Sequence, residues 1–210
     1  MKLCDMTVTE FVNTVASDAP APGGGSVAAL AGSIGAALTA MVGNLTQGRK
    51  KYAEYAAFAA QVETRGNQLK AQLLDVMDRD TEAFLLVSNA FAMPKATDEE
   101  KAARSAAIQA GLKACTKTPM EMMELCADAA KLAADFADNG FNDSSASDLG
   151  VAFLSLSAAI RAAWLNVLIN ISSIKDQAFA DEYRQKGQAL LDATLPLCDA
   201  GYAKVLGMVQ

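Results

Sequence analysis

The sequence contains no histidine. That absence excludes every catalytic triad or Cys–His pair built on an imidazole. It also excludes the usual catalytic zinc site and the histidine-containing structural ones. Proton transfer near neutral pH must then use a carboxylate, Lys, Tyr, Cys, a bound water or the substrate itself. A carboxylate or an amine would need its pKa moved toward 7 by burial or by neighbours. Aromatic residues are scarce, at 6%, and there are only five prolines. Cysteine is limited to Cys4, Cys115, Cys126 and Cys198, with no CxxC and no metal-ligand spacing. Free thiols and no metal site are expected. The start, MKLCDMTVTEF, lacks the apolar core of a signal peptide, so a cytoplasmic protein is expected. Positive charge is in deficit, with 18 Lys and Arg against 24 Asp and Glu. Bulk nucleic-acid binding is therefore not expected.

What is abundant is alanine, 43 of 210 residues. With few aromatics, this points to an all-α protein. The length suggests one domain spanning residues 1–210, burying about 70% of its unfolded surface. Two segments are apolar enough to raise a membrane reading, 27–45 and 149–174. The first is rich in Ala, Gly, Ser and Thr. The second carries Arg161 mid-span, which costs roughly 2.5–3.5 kcal/mol on insertion scales. Core or interface helices, with no membrane, are expected.

Periodicity predicts a short amphipathic helix over 7–17, with Val8, Phe11, Val12 and Val15 on one face. A Pro-Gly loop at 19–25 follows, and Ser26 reads as the N-cap of a helix over 26–46. Ala28, Gly32, Ala36 and Ala40 recur every four residues there, with Gly35 and Gly43 adding small sites. Such a stripe lets another backbone approach closely, at a bundle centre or a dimer interface. Further helices are predicted over 50–91 and, from the capping box at Thr97–Glu100, to about 116. Thr118-Pro119-Met120-Glu121 reads as another helix start, running to Asn139-Gly140. The last two helices are predicted over 147–172 and 176–207, with a kink near Pro196. No segment alternates as a strand.

Several clusters could carry chemistry. Gly23, Gly24, Gly25 and Ser26 lead into a helix but lack the dinucleotide fingerprint and the P-loop ending. They are either a backbone approach to a ligand or a tight turn. Arg49, Lys50 and Lys51 form the densest basic cluster. They are either a dock for a carboxylate or phosphate or a solvated surface. Asp75, Asp78 and Glu82 share one helix face, whereas Asp80 falls with Leu73, Val76, Met77 and Phe84 on the apolar side. Burial there would raise its pKa and suit acid–base work. Asp148, beside Ser147, stands at a helix start, where capping accounts for one of the two. Asn166 and Asn170, four apart on an apolar helix, must find partners if buried. Met120, Met122 and Met123 read as core.

Taken together, these stretches resemble a known family. APAPGGGSVAALAGSIGAAL at 19–38, NLTQGRKKY at 44–52, DRDTEAF at 78–84, MPKATDEEKAAR at 93–104, SDLGVA at 147–152 and LNVLIN at 165–170 appear in its order. The chain resembles the cyclodeaminase domain of formiminotransferase-cyclodeaminase, a family that includes free-standing bacterial cyclodeaminases and methenyltetrahydrofolate cyclohydrolases. The resemblance implies an all-α helical bundle of about six helices that forms a homodimer. It implies a tetrahydrofolate substrate, with or without a polyglutamate tail, and no further cofactor. The leading implied reaction converts 5-formiminotetrahydrofolate to 5,10-methenyltetrahydrofolate and ammonia. The alternative is cyclohydrolase interconversion of the methenyl and 10-formyl forms, and a non-catalytic folate-binding module stands third. The resemblance puts the catalytic carboxylate at Asp80. It puts Gly23–Ser26 and Arg49–Lys51 at the substrate, with Arg and Lys on the glutamate tail; Asp148, Asn166 and Asn170, which lie in the matching stretches, are counted with them as candidate substrate-binding residues. One departure is Arg79, where the family often has a second acid, so Arg79 is left out of the mechanism.

Overall fold

The computed structural model describes residues 2–210. Among these, every regular element is helical: α1 Val8–Val15, α2 Gly24–Thr46, α3 Ala56–Ala92, α4 Asp98–Asn139, α5 Ala146–Ile171 and α6 Gln177–Val209. Short 3-10 turns precede α1, α3 and α5. The expected all-α class of about six helices is what the chain adopts.

Local chemistry sets most helix ends. Capping boxes open α1 at Thr7 and α4 at Thr97. Gly140, at φ 102°, closes α4. Helix α2 starts earlier than expected, at Gly24, with Gly23 as its cap. Ser26 is thus not the N-cap but a buried residue inside the first turn. Helix α3 begins at Ala56 rather than 50, because buried Tyr52 leaves helical geometry (φ −116°, ψ 21°). On α1 only Phe11 is buried; Val8 is 82% exposed.

The largest difference lies in α4. The two helices expected on either side of Thr118-Pro119 are one helix of 42 residues with Pro119 inside it. Proline removes the N–H that would bond the carbonyl four residues back. That carbonyl belongs to Cys115, and it accepts instead from Asn170 Nδ2 of α5 at 2.7 Å. The orphan acceptor is satisfied from a neighbouring helix, so the helix continues. Helix α6 likewise runs through Pro196.

Helix α2 lies at the centre, packed on α3, α4 and α5. Its small residues allow this. A Cβ on Gly43 would come within 2.8 Å of the Ala59 carbonyl oxygen, and one on Gly66 of α3 within 3.1 Å of that of Ala36. The two backbones therefore touch directly, and Ala28, Ala36 and Ala40 are buried with them. Phe136, Phe153, Leu69, Leu73 and Met77 fill the core, together with Met120, Met122 and Met123. Helices α2 and α5 are both long and apolar enough to cross a membrane, yet α2 is mostly buried within the bundle. All four cysteines are free thiols.

Candidate functional site

At one end of the bundle, the start of α2 meets the middle of α3 and the last turns of α5. They enclose a cavity of about 300 Å³, lined by Gly23–Ser26, Asp80, Thr81, Phe84, Cys115, Ile169, Asn166 and Asn170 among others. Seven of the eleven residues singled out from the sequence converge here.

Asp80 is half-buried, and the Thr118 hydroxyl donates to its Oδ1 at 3.2 Å. Burial pushes its pKa above the ordinary carboxylate range, and the Thr118 bond only partly opposes this. No cation among the described residues pairs with it. Its neighbours on α3 are differently occupied. Asp78 accepts from the Leu3 amide at 2.7 Å and from the Cys4 thiol at 3.1 Å. Asp75 pairs with Arg79 at 2.7 Å. Arg79 also grips Glu121 of α4 with two bonds of 2.7 and 2.8 Å. Its guanidinium is thereby committed to Asp75 and Glu121.

The glycine run is where backbone meets carboxylate. A Cβ on Gly25 would fall 2.7 Å from Asp80 Cγ and closer still to Oδ2. Only glycine leaves Asp80 where it is. Gly23, two residues earlier, faces open space. The first ladder bond of α2 runs from Val27 N–H to the Gly23 carbonyl, and Gly23 offers no side-chain cap. The amides of Gly24, Gly25 and Ser26 are therefore spare donors at a helix N-terminus. The Ser26 hydroxyl lies 3.4 Å from that of Thr81. The Cys115 thiol is pushed up to about 11 by burial and by Asp80. It is protonated at neutral pH and is no nucleophile there.

The remaining four residues lie elsewhere. Helix α2 has 23 residues and spans about 33 Å, so Arg49, Lys50 and Lys51 stand at the far end of the bundle. Lys51 bonds Asp143 at 2.8 Å beside a cavity of about 460 Å³. Arg49 and Lys50 are exposed. Asp148 lies in the first turn of α5, about 27 Å along that helix from Asn166. A single subunit thus does not join these four to Asp80. Motif order could not reveal this, because neighbouring motifs sit at opposite ends of long helices. Conversely, sequence reading missed Thr118 and Cys115. The only signal was Pro119 itself, whose missing N–H announces a carbonyl in need of a donor.

The family model described as formiminotransferase-cyclodeaminase matches residues 7–189. Methenyltetrahydrofolate cyclohydrolase of Methylorubrum extorquens is 44% identical over 204 residues, covering 97% of this chain and 98% of that protein. Formimidoyltransferase-cyclodeaminase of Rattus norvegicus is 34% identical over 189 residues, 90% of this chain and 35% of that much longer protein. A crystal structure of formiminotetrahydrofolate cyclodeaminase from Thermotoga maritima superposes with a TM-score of 0.81 at 27% identity, covering 99% of this chain and 97% of the other. The chain belongs to the formiminotransferase-cyclodeaminase family, a family of enzymes.

Proposed function

We propose that the Asp80 cavity binds a tetrahydrofolate one-carbon derivative and that the protein is a methenyltetrahydrofolate cyclohydrolase. The observation that carries this is the end-to-end match, at 44% identity, to a free-standing protein of that name. The chemistry fits the site. The methenyl carbon lies between N5 and N10 as a cationic amidinium. Asp80, as carboxylate, takes a proton from water while the oxygen adds to that carbon. The C–N5 bond then breaks as Asp80 returns that proton to N5, and the remaining hydroxyl proton is released to solvent as the carbonyl forms, leaving the neutral 10-formyl product. One carboxylate acts as base and then as acid. Burial raises the Asp80 pKa and makes it a stronger base than an ordinary carboxylate. The spare amides of Gly24–Ser26 suit the oxygen that the carbon gains.

Cyclodeamination is the second reading, supported by the superposition on a free-standing cyclodeaminase. There N10 attacks the formimino carbon, already held nearby on the same molecule. Asp80 accepts the N10 proton and passes it to the departing nitrogen, which leaves as ammonia. Neither reaction changes an oxidation state, so no redox cofactor has a step to serve.

The exposed Arg49 and Lys50 serve as a basic dock for the folate tail, with one restriction. They meet a folate held at Asp80 only through an extended polyglutamate chain or across a subunit boundary. The second route accords with a homodimer. Val27, Ile34 and Met41 on α2 and Leu154, Leu165 and Ile169 on α5 form an exposed apolar face, with Ile169 68% exposed. A face of this extent suits a second copy.

The test gives purified protein each substrate separately. Loss of methenyl absorbance above the spontaneous rate supports the hydrolase. Ammonia release from the 5-formimino compound supports the deaminase. Inactivity on both would favour a binding module.

A further inference from the structure

The hydrogen bond that Pro119 removes from α4 and the asparagine that replaces it have a chemical consequence. Asn170 Nδ2 donates twice: to the Cys115 carbonyl, freed by Pro119, at 2.7 Å, and to the Asn166 carbonyl of its own helix at 2.8 Å. A carboxamide nitrogen has two hydrogens, so both are spent. Both partners are carbonyls, which only accept, so the amide cannot be turned over without losing both bonds. Among the described residues its Oδ1 accepts from no protein group, and it is not a buried orphan. Asn170 lines the cavity, and Oδ1 is its remaining side-chain polar atom. Asn166 is not locked in this way. Its Nδ2 makes one bond, to the Ala162 carbonyl at 2.9 Å, and keeps a spare donor.

We infer that Asn170 is a specificity-determining residue, held by Pro119 as a fixed acceptor that, with Asp80, seats a cationic amidinium in preference to its neutral counterpart. The inference rests on the folate reading and deepens it. In both reactions the one-carbon group carries positive charge at one stage, as the methenyl bridge or the protonated formimino group, and is neutral as formyl. An oxygen that cannot become a donor discriminates between these states. A carboxamide free to flip would serve both. Pro119 touches no ligand in this account. It acts as a positioning residue, since an ordinary residue at 119 would compete for the Cys115 carbonyl and weaken one of the two bonds on Asn170.

The experiment compares wild type, Asn170→Leu and Pro119→Ala with two ligands in one assay. Cationic 5,10-methenyltetrahydrofolate is used as substrate or, for a deaminase, as product inhibitor. Neutral 5-formyltetrahydrofolate is the competitor. Circular dichroism confirms folding, and Pro119→Ala restores a helical N–H, so it carries the test if Asn170→Leu does not fold. Asn170→Leu is expected to weaken the cationic ligand at least about tenfold, through loss of the carbonyl dipole facing a positive carbon that has no N–H to donate, and the neutral one less than about threefold. Pro119→Ala is expected to narrow the cation preference by about three- to tenfold. An unchanged preference in both variants would overturn this inference and leave the folate reading standing. Failure of wild type to bind either ligand would sink the folate reading and this inference with it.

Discussion

The two ends of the α2–α5 pair hold the same residue types in opposite electrostatic states. At the far end, Asp143 is exposed, and the Lys51 ammonium at 2.8 Å holds its pKa below the ordinary range. Lys204 neutralises Asp138 beside it, also at 2.8 Å. At the near end, Asp80 is half-buried with no cation paired to it among the described residues, and burial holds its pKa above that range. The larger cavity, about 460 Å³, is at the far end, and the smaller, about 300 Å³, holds Asp80. Size therefore does not mark the site. A carboxylate kept from a counter-ion does, because such a group pays in stability for what it offers in proton transfer.

The comparison can be broken in several ways. The largest effect is expected from Asp80→Asn, which should lower turnover at least about a hundredfold, against less than twofold, about the error of an assay, for Asp143→Asn. Steady-state rates on folded proteins decide it, and near-normal turnover of Asp80→Asn removes its role. Next, Gly25→Ala should cost roughly tenfold or more in turnover by displacing the Asp80 carboxylate, whereas Gly23→Ala should stay near wild type. Similar losses in both would show that the loop acts as a turn and not as a seat for Asp80. Smaller is the effect of Arg49→Ala or Lys50→Ala, a few-fold weakening confined to polyglutamylated folate, read from inhibition constants. Equal weakening of the monoglutamyl form would remove the tail dock. Light scattering at micromolar concentration should report a dimer, and Ile34→Asp on the exposed α2 face should shift it to monomer.

The sign of the Asp80 shift gives a stability prediction. As pH rises, the unfolded chain ionises Asp80 before the folded protein does. Within that window the folded state holds a proton that the unfolded state lacks, so stability falls with rising pH and stays lower above it. Asp80→Asn should thus melt above wild type at neutral pH, and the gain should vanish below about pH 4, where both states of Asp80 are protonated. A variant that melts lower at neutral pH would contradict the burial argument.

Much of this was legible in the sequence, and the misses share a cause. Helix period placed Asp80 with Leu73, Val76, Met77 and Phe84; the first three are buried, whereas Phe84 is exposed beside the cavity. The four-residue stripe on α2 foretold the contact of backbones at Gly43 and Gly66. Signals that act within a turn, such as the Thr97 capping box and Gly140, worked for the same reason. What failed depended on partners distant in sequence. Thr118-Pro119 has every local mark of a helix start, and Asn170, 55 residues from the carbonyl it bonds, overrides them. Ser26 has the marks of a cap but is buried where α2 closes on Thr81. Arg49–Lys51 and Asp148 carry family motifs, yet helix length alone removes them from Asp80 within one chain.

The most direct measurement is a carbon-13 titration of the aspartate carboxyls, with Asp80→Asn and Asp143→Asn assigning the two resonances. Asp80 should titrate above the ordinary aspartate value near 3.9 and Asp143 below it. A value for Asp80 at or below that of Asp143 would mean that the near end is not the site of a poised acid, and the account would fail at its centre.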